Sequence, residues 1–242
     1  MSLTAKLLLS PVLVAQALAT RARLPRLPEA AGQREGETGR GPLLRLLMLG
    51  DSSAAGVGVA QQQQALAGHL PAALARQAGV RVRWRLVARS GINSAQCLAL
   101  LEDSGPVEAD VAVVVLGVND VVDQVPSRRA VAARETIANR LRNAHGVAHV
   151  VFAPLPPVHR FPGLPQPLRW VAGADARRHN AALADWAASR DDVSHVPIEM
   201  TLGIETMAED GFHPGAPVYR HTADAIARHL AALDTAVLES HQ

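Results

Sequence analysis

The chain of 242 residues has little cysteine and few aromatic side chains. Cys97 is the only cysteine, so an intrachain disulfide and a thiolate zinc cluster are both excluded. We expect this thiol to be buried on a helix that follows Gly91. Aromatic residues make up 3% of the sequence, so the array of Trp and Tyr side chains that would stack on a polysaccharide is absent.

The chain also has almost no net charge, because 24 Lys and Arg residues are balanced by 22 Asp and Glu residues. No basic run is interleaved with aromatics, which argues against a nucleic-acid partner. The histidines outside the motifs described below lack the spacing to acidic residues that is typical of metal ligands. A Walker loop and a dinucleotide fingerprint are missing too, so we predict neither a metal nor a cofactor.

The amino terminus contains an apolar run, Leu7–Ala19, followed by Arg21, Arg23 and Arg26. As a helix this run spans roughly 20 Å, short of the ~30 Å hydrocarbon core of a membrane. Ala17-Leu18-Ala19 resembles a signal-peptide cleavage site, but the positive charge lies mainly after the run, on the wrong side for export. We expect a helix that stays attached, packed on the domain or contacting a membrane surface through residues 7–19. A cytoplasmic or membrane-associated location is favoured over a periplasmic or secreted one.

Residues Arg26–Pro42 are rich in Gly, Pro, Glu and Arg, which is typical of a linker. We therefore predict an N-terminal helix and linker over residues 1–42 and a globular domain over residues 43–242. Most strand candidates in that domain are almost continuously apolar, as in strands covered on both faces. In the second candidate, Val80–Val87, arginines alternate with apolar residues, which indicates that one face of the strand is exposed to water, as at a sheet edge. The five candidates are Leu43–Leu49, Val80–Val87, Val111–Leu116, Val147–Ala153 and Val193–Val196.

Helical patterns separate these strands, which indicates right-handed crossovers and a parallel sheet covered by helices. The predicted fold class is α/β, a three-layer α/β/α sandwich around a five-stranded parallel sheet. With the second strand at the edge, the strand order is flavodoxin-like, 2-1-3-4-5. In such sheets ligands bind beyond the carboxyl ends of the strands, at the switch between strands one and three.

Three short motifs that carry reactive side chains follow predicted strands or lie a little beyond them. A serine hydroxyl such as Ser52 is a weak nucleophile until a base removes its proton. His213 can act as that base, and Asp210 can orient the imidazole and stabilise its protonated form. Taken singly, each motif is also compatible with an ordinary capping or surface turn. The motifs are Gly50-Asp51-Ser52, Gly117-Val118-Asn119-Asp120 and Asp210-Gly211-Phe212-His213-Pro214.

Attack on an ester carbonyl builds negative charge on its oxygen, and that charge needs hydrogen-bond donors. Candidate donors are the backbone N–H groups of Ser52 and Gly91 and the side-chain amide of Asn119. At Gly91 the missing Cβ lets the backbone approach a substrate closely. An Asx turn is the alternative interpretation of Asn119-Asp120.

These blocks, in this order from Leu43 to about His221, resemble the SGNH/GDSL hydrolase family. The resemblance implies the SGNH hydrolase fold, with Ser52 as nucleophile and Asp210 and His213 completing a catalytic triad. It also implies Ser52, Gly91 and Asn119 as oxyanion donors. The residue after Ser52 is serine rather than the leucine of the family's name-giving block. An α/β-hydrolase elbow is excluded, because Ser52 does not lie in Gly-x-Ser-x-Gly.

The segment Pro154–Trp170 is rich in proline and follows the fourth predicted strand at its carboxyl end. We predict that His159 and Phe161 from this segment, with Val118 and Val121, bind the apolar part of a substrate. A rigid loop that merely covers the sheet is the alternative.

The predicted function is a metal-free serine esterase. Its substrates are small-molecule or lipid carboxylic esters with short-to-medium acyl chains, hydrolysed through an acyl-serine intermediate. A sugar O-deacetylase, a lysophospholipase and a thioesterase are alternatives on the same scaffold. A non-catalytic, membrane-tethered binding module is a further alternative, since a fold alone does not determine function. No oligomeric state is predicted.

Overall fold

The structure is a computed structural model that describes residues 3–233, with side chains from residue 8 onward. The last nine positions of the predicted globular domain, 234–242, lie outside the described residues. The strands are β1 (Glu35–Gly39), β2 (Leu43–Gly50), β3 (Arg81–Ala88), β4 (Val111–Val115), β5 (His149–Phe152) and β6 (Val193–His195). The helices are α1 (Leu3–Arg23), α2 (Leu66–Ala78), α3 (Ser94–Asp103), α4 (Val118–Val122), α5 (Ser127–His145), α6 (Leu168–Ala187) and α7 (Ala216–Ala232).

The strands form one sheet in the order β1-β3-β2-β4-β5-β6. Strands β2 to β6 are the five predicted strands, and each pairs in parallel with its neighbour. Their order is the predicted 2-1-3-4-5, so the α/β class and the flavodoxin-like arrangement are confirmed. Strand β1 was not predicted, and it pairs antiparallel with β3, which makes the sheet mixed.

The prediction that the second strand lies at the sheet edge is wrong, because β1 covers it. The prediction that Arg26–Pro42 is a linker is wrong for the same reason, since Glu35–Gly39 belongs to the sheet. Glu37 of β1 forms ion pairs with Arg81 and Arg83, so the alternating arginines mark a wet face and not a missing neighbour. The Trp84 ring lies against Gly36, where a Cβ atom would be 3.0 Å from the indole. An aromatic ring thus covers a strand glycine.

The two faces of the sheet bury two separate apolar clusters. Leu46 and Met48 of β2 belong to the cluster that contains the inner faces of α2 and α7. Leu47 and Leu49 belong to the opposite cluster, which α3, α5 and α6 complete. Because successive side chains of a strand point to opposite faces, a strand that is apolar at nearly every position, such as β2, supplies both clusters. The turn after β2 is therefore fixed from both sides of the sheet.

Helix α1 packs beside the start of α6 through polar contacts. The Gln16 side chain donates to the Gln166 carbonyl at 2.6 Å and accepts from the Leu168 N–H at 3.0 Å. Arg23, at the end of α1, donates to the Gly163 carbonyl at 3.1 Å. Across the described part of the chain, the helices fall short of the length and apolarity that a membrane span requires.

Candidate active site

Ser52 lies in the turn directly after β2, at the carboxyl end of the sheet. The N–H of the preceding Asp51 donates to the Val115 carbonyl at 3.1 Å, which ties this turn to the end of β4. The Asp51 carboxylate accepts from the Ser53 N–H at 2.9 Å and closes an Asx turn around Ser52. Asp51 itself is buried, and burial raises its pKa to about 6, although the Ser53 N–H opposes this shift. The turn presents the Ser52 hydroxyl toward the cavity described below.

Asp210 and His213 lie on the loop between β6 and α7. The backbone N–H groups of Phe212 and His213 both donate to Asp210 Oδ1 at 2.9 Å. This arrangement places Asp210 Oδ2 at 2.6 Å from His213 Nδ1. Burial by itself would raise the pKa of Asp210, but the hydrogen bonds from His213 and Phe212 outweigh it, so the pKa lies below its ordinary value. Asp210 is therefore charged at neutral pH.

The other ring nitrogen of His213 faces the serine. His213 Nε2 lies 3.1 Å from Ser52 Oγ, although the two residues are 161 positions apart in the chain. With Nδ1 donating its hydrogen to Asp210, Nε2 is free to accept the Ser52 proton. The structure thus brings Ser52, His213 and Asp210 into one continuous hydrogen-bonded chain.

The three predicted oxyanion donors, Ser52, Gly91 and Asn119, all line one cavity. Within the described part of the chain, the N–H groups of Ser52 and Gly91 donate to no other residue. Gly91 has a φ of +80°, a conformation that disfavours any residue with a Cβ atom. The Asn119 amide donates one hydrogen to the Ile92 carbonyl at 2.8 Å, which holds the amide in place and leaves its second hydrogen available.

A buried polar cluster behind Asn119 was not predicted from the sequence. Arg134, which is completely buried on α5, forms an ion pair of 3.1 Å with Asp120 and donates to the Ser94 hydroxyl at 3.2 Å. Ser94, at the start of α3, donates to Asp120 from its hydroxyl at 2.6 Å and from its N–H at 3.1 Å. The cluster joins α3, α4 and α5 directly behind the turn that carries Asn119. A signal was present in the sequence, because Arg134 lies at helical spacing from Ala130 and Ile137 on the apolar stripe of α5.

The candidate active site opens into a cavity of about 510 Å³. Val118 and Phe161, two of the predicted substrate-binding residues, are part of its lining. Val121 and His159, the other two predicted substrate-binding residues, are not part of this lining. Val121 is buried in an apolar cluster behind the lining, and His159 is exposed on a short helix whose backbone packs against Gly173 of α6.

The segment after α1 supplies part of the cavity wall, which the sequence did not predict. Leu24, Arg26 and Leu27 of this segment line the cavity that contains Ser52, together with Arg21 from the last turn of α1. Among the described residues, no group of three His, Cys, Asp or Glu side chains has the arrangement of a metal site. His241, one of the histidines considered in the sequence, lies outside the described residues. Cys97 is buried on α3, and burial raises its pKa to about 12.

An α/β sandwich with a serine, a histidine and a carboxylate joined at the carboxyl end of its five parallel strands has the organisation of a serine hydrolase. Comparison with known protein families gives the same class. The model of the GDSL-like lipase/acylhydrolase family matches residues 48–221, and the chain belongs to this family. The chain is therefore an enzyme, a serine hydrolase that acts on ester bonds. This result rules out the non-catalytic binding module that was an alternative for the sequence.

The individual relatives share less than a third of their residues with this chain. The chain is 28% identical over 236 residues to a GDSL-like esterase of Mycobacterium tuberculosis, covering 89% of this chain and 74% of the relative. A lipase from a goat rumen metagenome has a similar structure, with a TM-score of 0.66 and 17% identity over 79% of this chain and 99% of that one. A carbohydrate acetylesterase family member from Sinorhizobium meliloti has a TM-score of 0.57 and 17% identity over 78% of this chain and 98% of that one. The two structures show the shared fold.

Proposed function

We propose that the chain hydrolyses carboxylic esters with short-to-medium acyl chains through an acyl intermediate on Ser52. The observation that carries this proposal is the chain of two contacts, 3.1 Å from Ser52 Oγ to His213 Nε2 and 2.6 Å from His213 Nδ1 to Asp210. The apolar lining of the cavity supports an acyl group as its occupant. Its volume of about 510 Å³ lies within the range of small-molecule sites.

In the first half of the reaction, Ser52 Oγ attacks the ester carbonyl while its proton moves to His213 Nε2. Asp210 stabilises the imidazolium, and the donors of Ser52, Gly91 and Asn119 stabilise the negative charge on the carbonyl oxygen. When the intermediate collapses, the bond to the alcohol breaks and His213 returns the proton to the departing oxygen. The products of this half are the free alcohol and acyl-Ser52.

In the second half, water attacks acyl-Ser52 and gives one proton to His213. The bond between Ser52 Oγ and the acyl carbon breaks, and the proton on His213 passes back to Ser52 Oγ. The free acid leaves, and the enzyme returns to its starting state. No step needs a redox partner or another co-reactant besides water.

Covalent labelling tests the role of Ser52 directly. A fluorophosphonate probe should label the wild-type protein and the Ser53→Ala variant, but not the Ser52→Ala variant. Ser53 is the matched control because it also lines the cavity, one position further along the chain. Equal labelling of Ser52→Ala and the wild type would reject Ser52 as the nucleophile.

An acyl-chain series tests the predicted substrate range against a sugar O-deacetylase. For p-nitrophenyl esters from acetate to decanoate, kcat/KM should rise beyond acetate and then fall when the chain outgrows the cavity. The rise follows from apolar burial, which contributes about 0.8 kcal/mol per CH₂ group. A maximum at acetate would contradict the proposal and favour the deacetylase.

We also propose that α1 contacts a lipid surface. The polar residues Gln16 and Thr20 face the domain, whereas Leu8 and Leu18 are 83% and 65% exposed. This polarity is inverted relative to an ordinary surface helix, in which the apolar stripe faces the core. Co-sedimentation with phosphatidylglycerol vesicles should be lost in Leu8→Ser/Leu18→Ser and kept in Ile204→Ser, a control that removes an equally exposed apolar side chain. Equal binding by both variants would contradict this contact.

A further inference from the structure

The cavity that contains Ser52 has two guanidinium groups on its lining, Arg21 from the last turn of α1 and Arg26 from the segment that follows. Both side chains are exposed, and neither forms an ion pair or hydrogen bond with another residue in the part of the chain that the structure describes. The lining therefore carries cationic groups whose partners the described chain does not supply.

Two carboxylates on or close to the lining, Asp210 and Glu29, are already engaged. Asp210, the acidic residue of the lining, accepts hydrogen bonds from His213 and from two backbone N–H groups. Glu29 lies only three positions after Arg26, but it is paired with Arg34 and accepts from the Ser90 N–H at 2.7 Å. Neither carboxylate is free to neutralise Arg21 or Arg26, so the described lining carries two guanidinium groups against one carboxylate that is already hydrogen-bonded to His213.

We propose that Arg21 and Arg26 form an anion subsite, so that the preferred substrates are esters carrying a phosphate or carboxylate group away from the reacting bond. This inference rests on the proposed function. Guanidinium groups bind both anions through paired hydrogen bonds. The apolar remainder of the lining holds the uncharged part of the ester.

Matched substrates identify which half of the ester carries the anion. One pair shares a hexanoyl chain and differs in the alcohol, 1-hexanoyl-glycerol 3-phosphate against 1-hexanoyl-glycerol. The other pair shares a methyl alcohol and differs in the acid, methyl hydrogen adipate against methyl hexanoate. Release of acid or alcohol gives kcat/KM for each substrate. In at least one pair, the anionic ester should have a kcat/KM about tenfold above that of its neutral partner, from two charged contacts.

Variants then test whether the two arginines cause this preference. In Arg21→Gln/Arg26→Gln the ratio of anionic to neutral kcat/KM should fall about tenfold, and in Arg21→Glu/Arg26→Glu it should fall below one. Arg228→Gln, which changes an exposed arginine of α7 outside the cavity lining, should leave the ratio unchanged. The wild-type ratio should also decrease as salt is added, which tests the charge effect without any substitution.

A wild-type ratio of one or less in both pairs would overturn the inference, and so would a preference that persists in both double variants. Failure of the inference is distinguishable from failure of the proposed function. If neutral esters are hydrolysed and the fluorophosphonate still labels Ser52, then only the anion subsite is rejected.

Discussion

The Glu29 carboxylate accepts a hydrogen bond of 2.7 Å from the Ser90 N–H, one residue before Gly91. Arg34 binds the same carboxylate and also donates to the Ala88 carbonyl at 2.8 Å. Burial would raise the pKa of Glu29, but the hydrogen bonds from Ser90 and Arg34 lower it on balance, so the side chain is charged at neutral pH. The segment between α1 and β1 thus holds the loop that presents the Gly91 N–H to the cavity.

Glu29→Gln should lower kcat by about 3–10-fold with little change in KM, because a weaker hydrogen bond lets the Ser90–Gly91 turn move away from the oxyanion position. Steady-state kinetics with a p-nitrophenyl ester measure this split. Glu37→Gln is the control, since Glu37 also pairs with arginines but lies on β1, outside the cavity lining. An equal loss in both variants, or a change in KM alone, would contradict a positioning role for Glu29.

Asn119→Ala should lower kcat by about 10²–10³, the usual effect of losing one oxyanion donor. KM should change little, because the amide acts on charge that develops only in the transition state. Asn139→Ala is the control, since Asn139 is an exposed asparagine of α5. If the effect of Asn119→Ala is confined to KM, then Asn119 binds the ground state and is not an oxyanion donor.

The raised pKa of the buried Asp51 carboxyl group predicts how the stability of the protein depends on pH. Between its ordinary pKa of 3.8 and about 6, the folded protein binds a proton that the unfolded chain has lost. This carboxyl group therefore lowers the free energy of unfolding as the pH rises through that window. Asp51→Asn keeps the oxygen that accepts from Ser53 and removes the charge. The free energy of unfolding of the variant minus that of the wild type should therefore increase by up to about 3 kcal/mol from the lower to the upper end of this window.

Urea unfolding at about pH 4 and about pH 7 measures the difference for the wild type and Asp51→Asn. Asp191→Asn, at an exposed position, should follow the wild type at both pH values. Parallel pH profiles for the wild type and Asp51→Asn would show that burial does not hold the proton on Asp51.

Arg134→Met should reduce the free energy of unfolding by about 3–5 kcal/mol, because it leaves the buried Asp120 carboxylate without its cation. Adding Asp120→Asn should recover a large part of this loss. Arg142→Met is the control, since Arg142 is 58% exposed and its ion pair with Asp192 should contribute less than about 1 kcal/mol. Denaturant unfolding that gives equal losses for Arg134→Met and Arg142→Met would contradict the proposed importance of the buried pair.

Strand β1 was not predicted from the sequence, because its stability comes from contacts with neighbouring elements. Strand β1 has the sequence Glu-Gly-Glu-Thr-Gly, which has low β propensity and no apolar alternation. It is held by pairing along β3, by the Trp84 ring over Gly36 and by the ion pairs of Glu37. None of these contacts is visible within the segment itself, so composition alone indicated a linker.

Side-chain direction explains the divided outcome for the substrate-binding predictions. Val118 and Val121 are three positions apart on the same short helix, yet Val118 faces the cavity and Val121 faces the core behind it. Phe161 reaches the lining and stacks edge-on against Phe212, whose ring in turn contacts that of His213. His159 lies in the same loop but is exposed and is not part of the lining. The sequence identified the correct loops, but only the packing of those loops decides which of their side chains reach the cavity.

The sequence by itself determined the five parallel strands, because each is a short run of apolar or alternating residues bounded by turns and joined to the next by a helix. Their relative order was also predicted correctly, although the second of them is covered by β1 and does not lie at the sheet edge. It also determined which residue types are available for the chemistry. Tertiary structure alone decided that residues 52 and 213 meet at 3.1 Å and that the chain after α1 completes the cavity wall. The physical reason is that local patterns report burial and backbone preference, whereas distances between remote segments depend on how all the layers pack together.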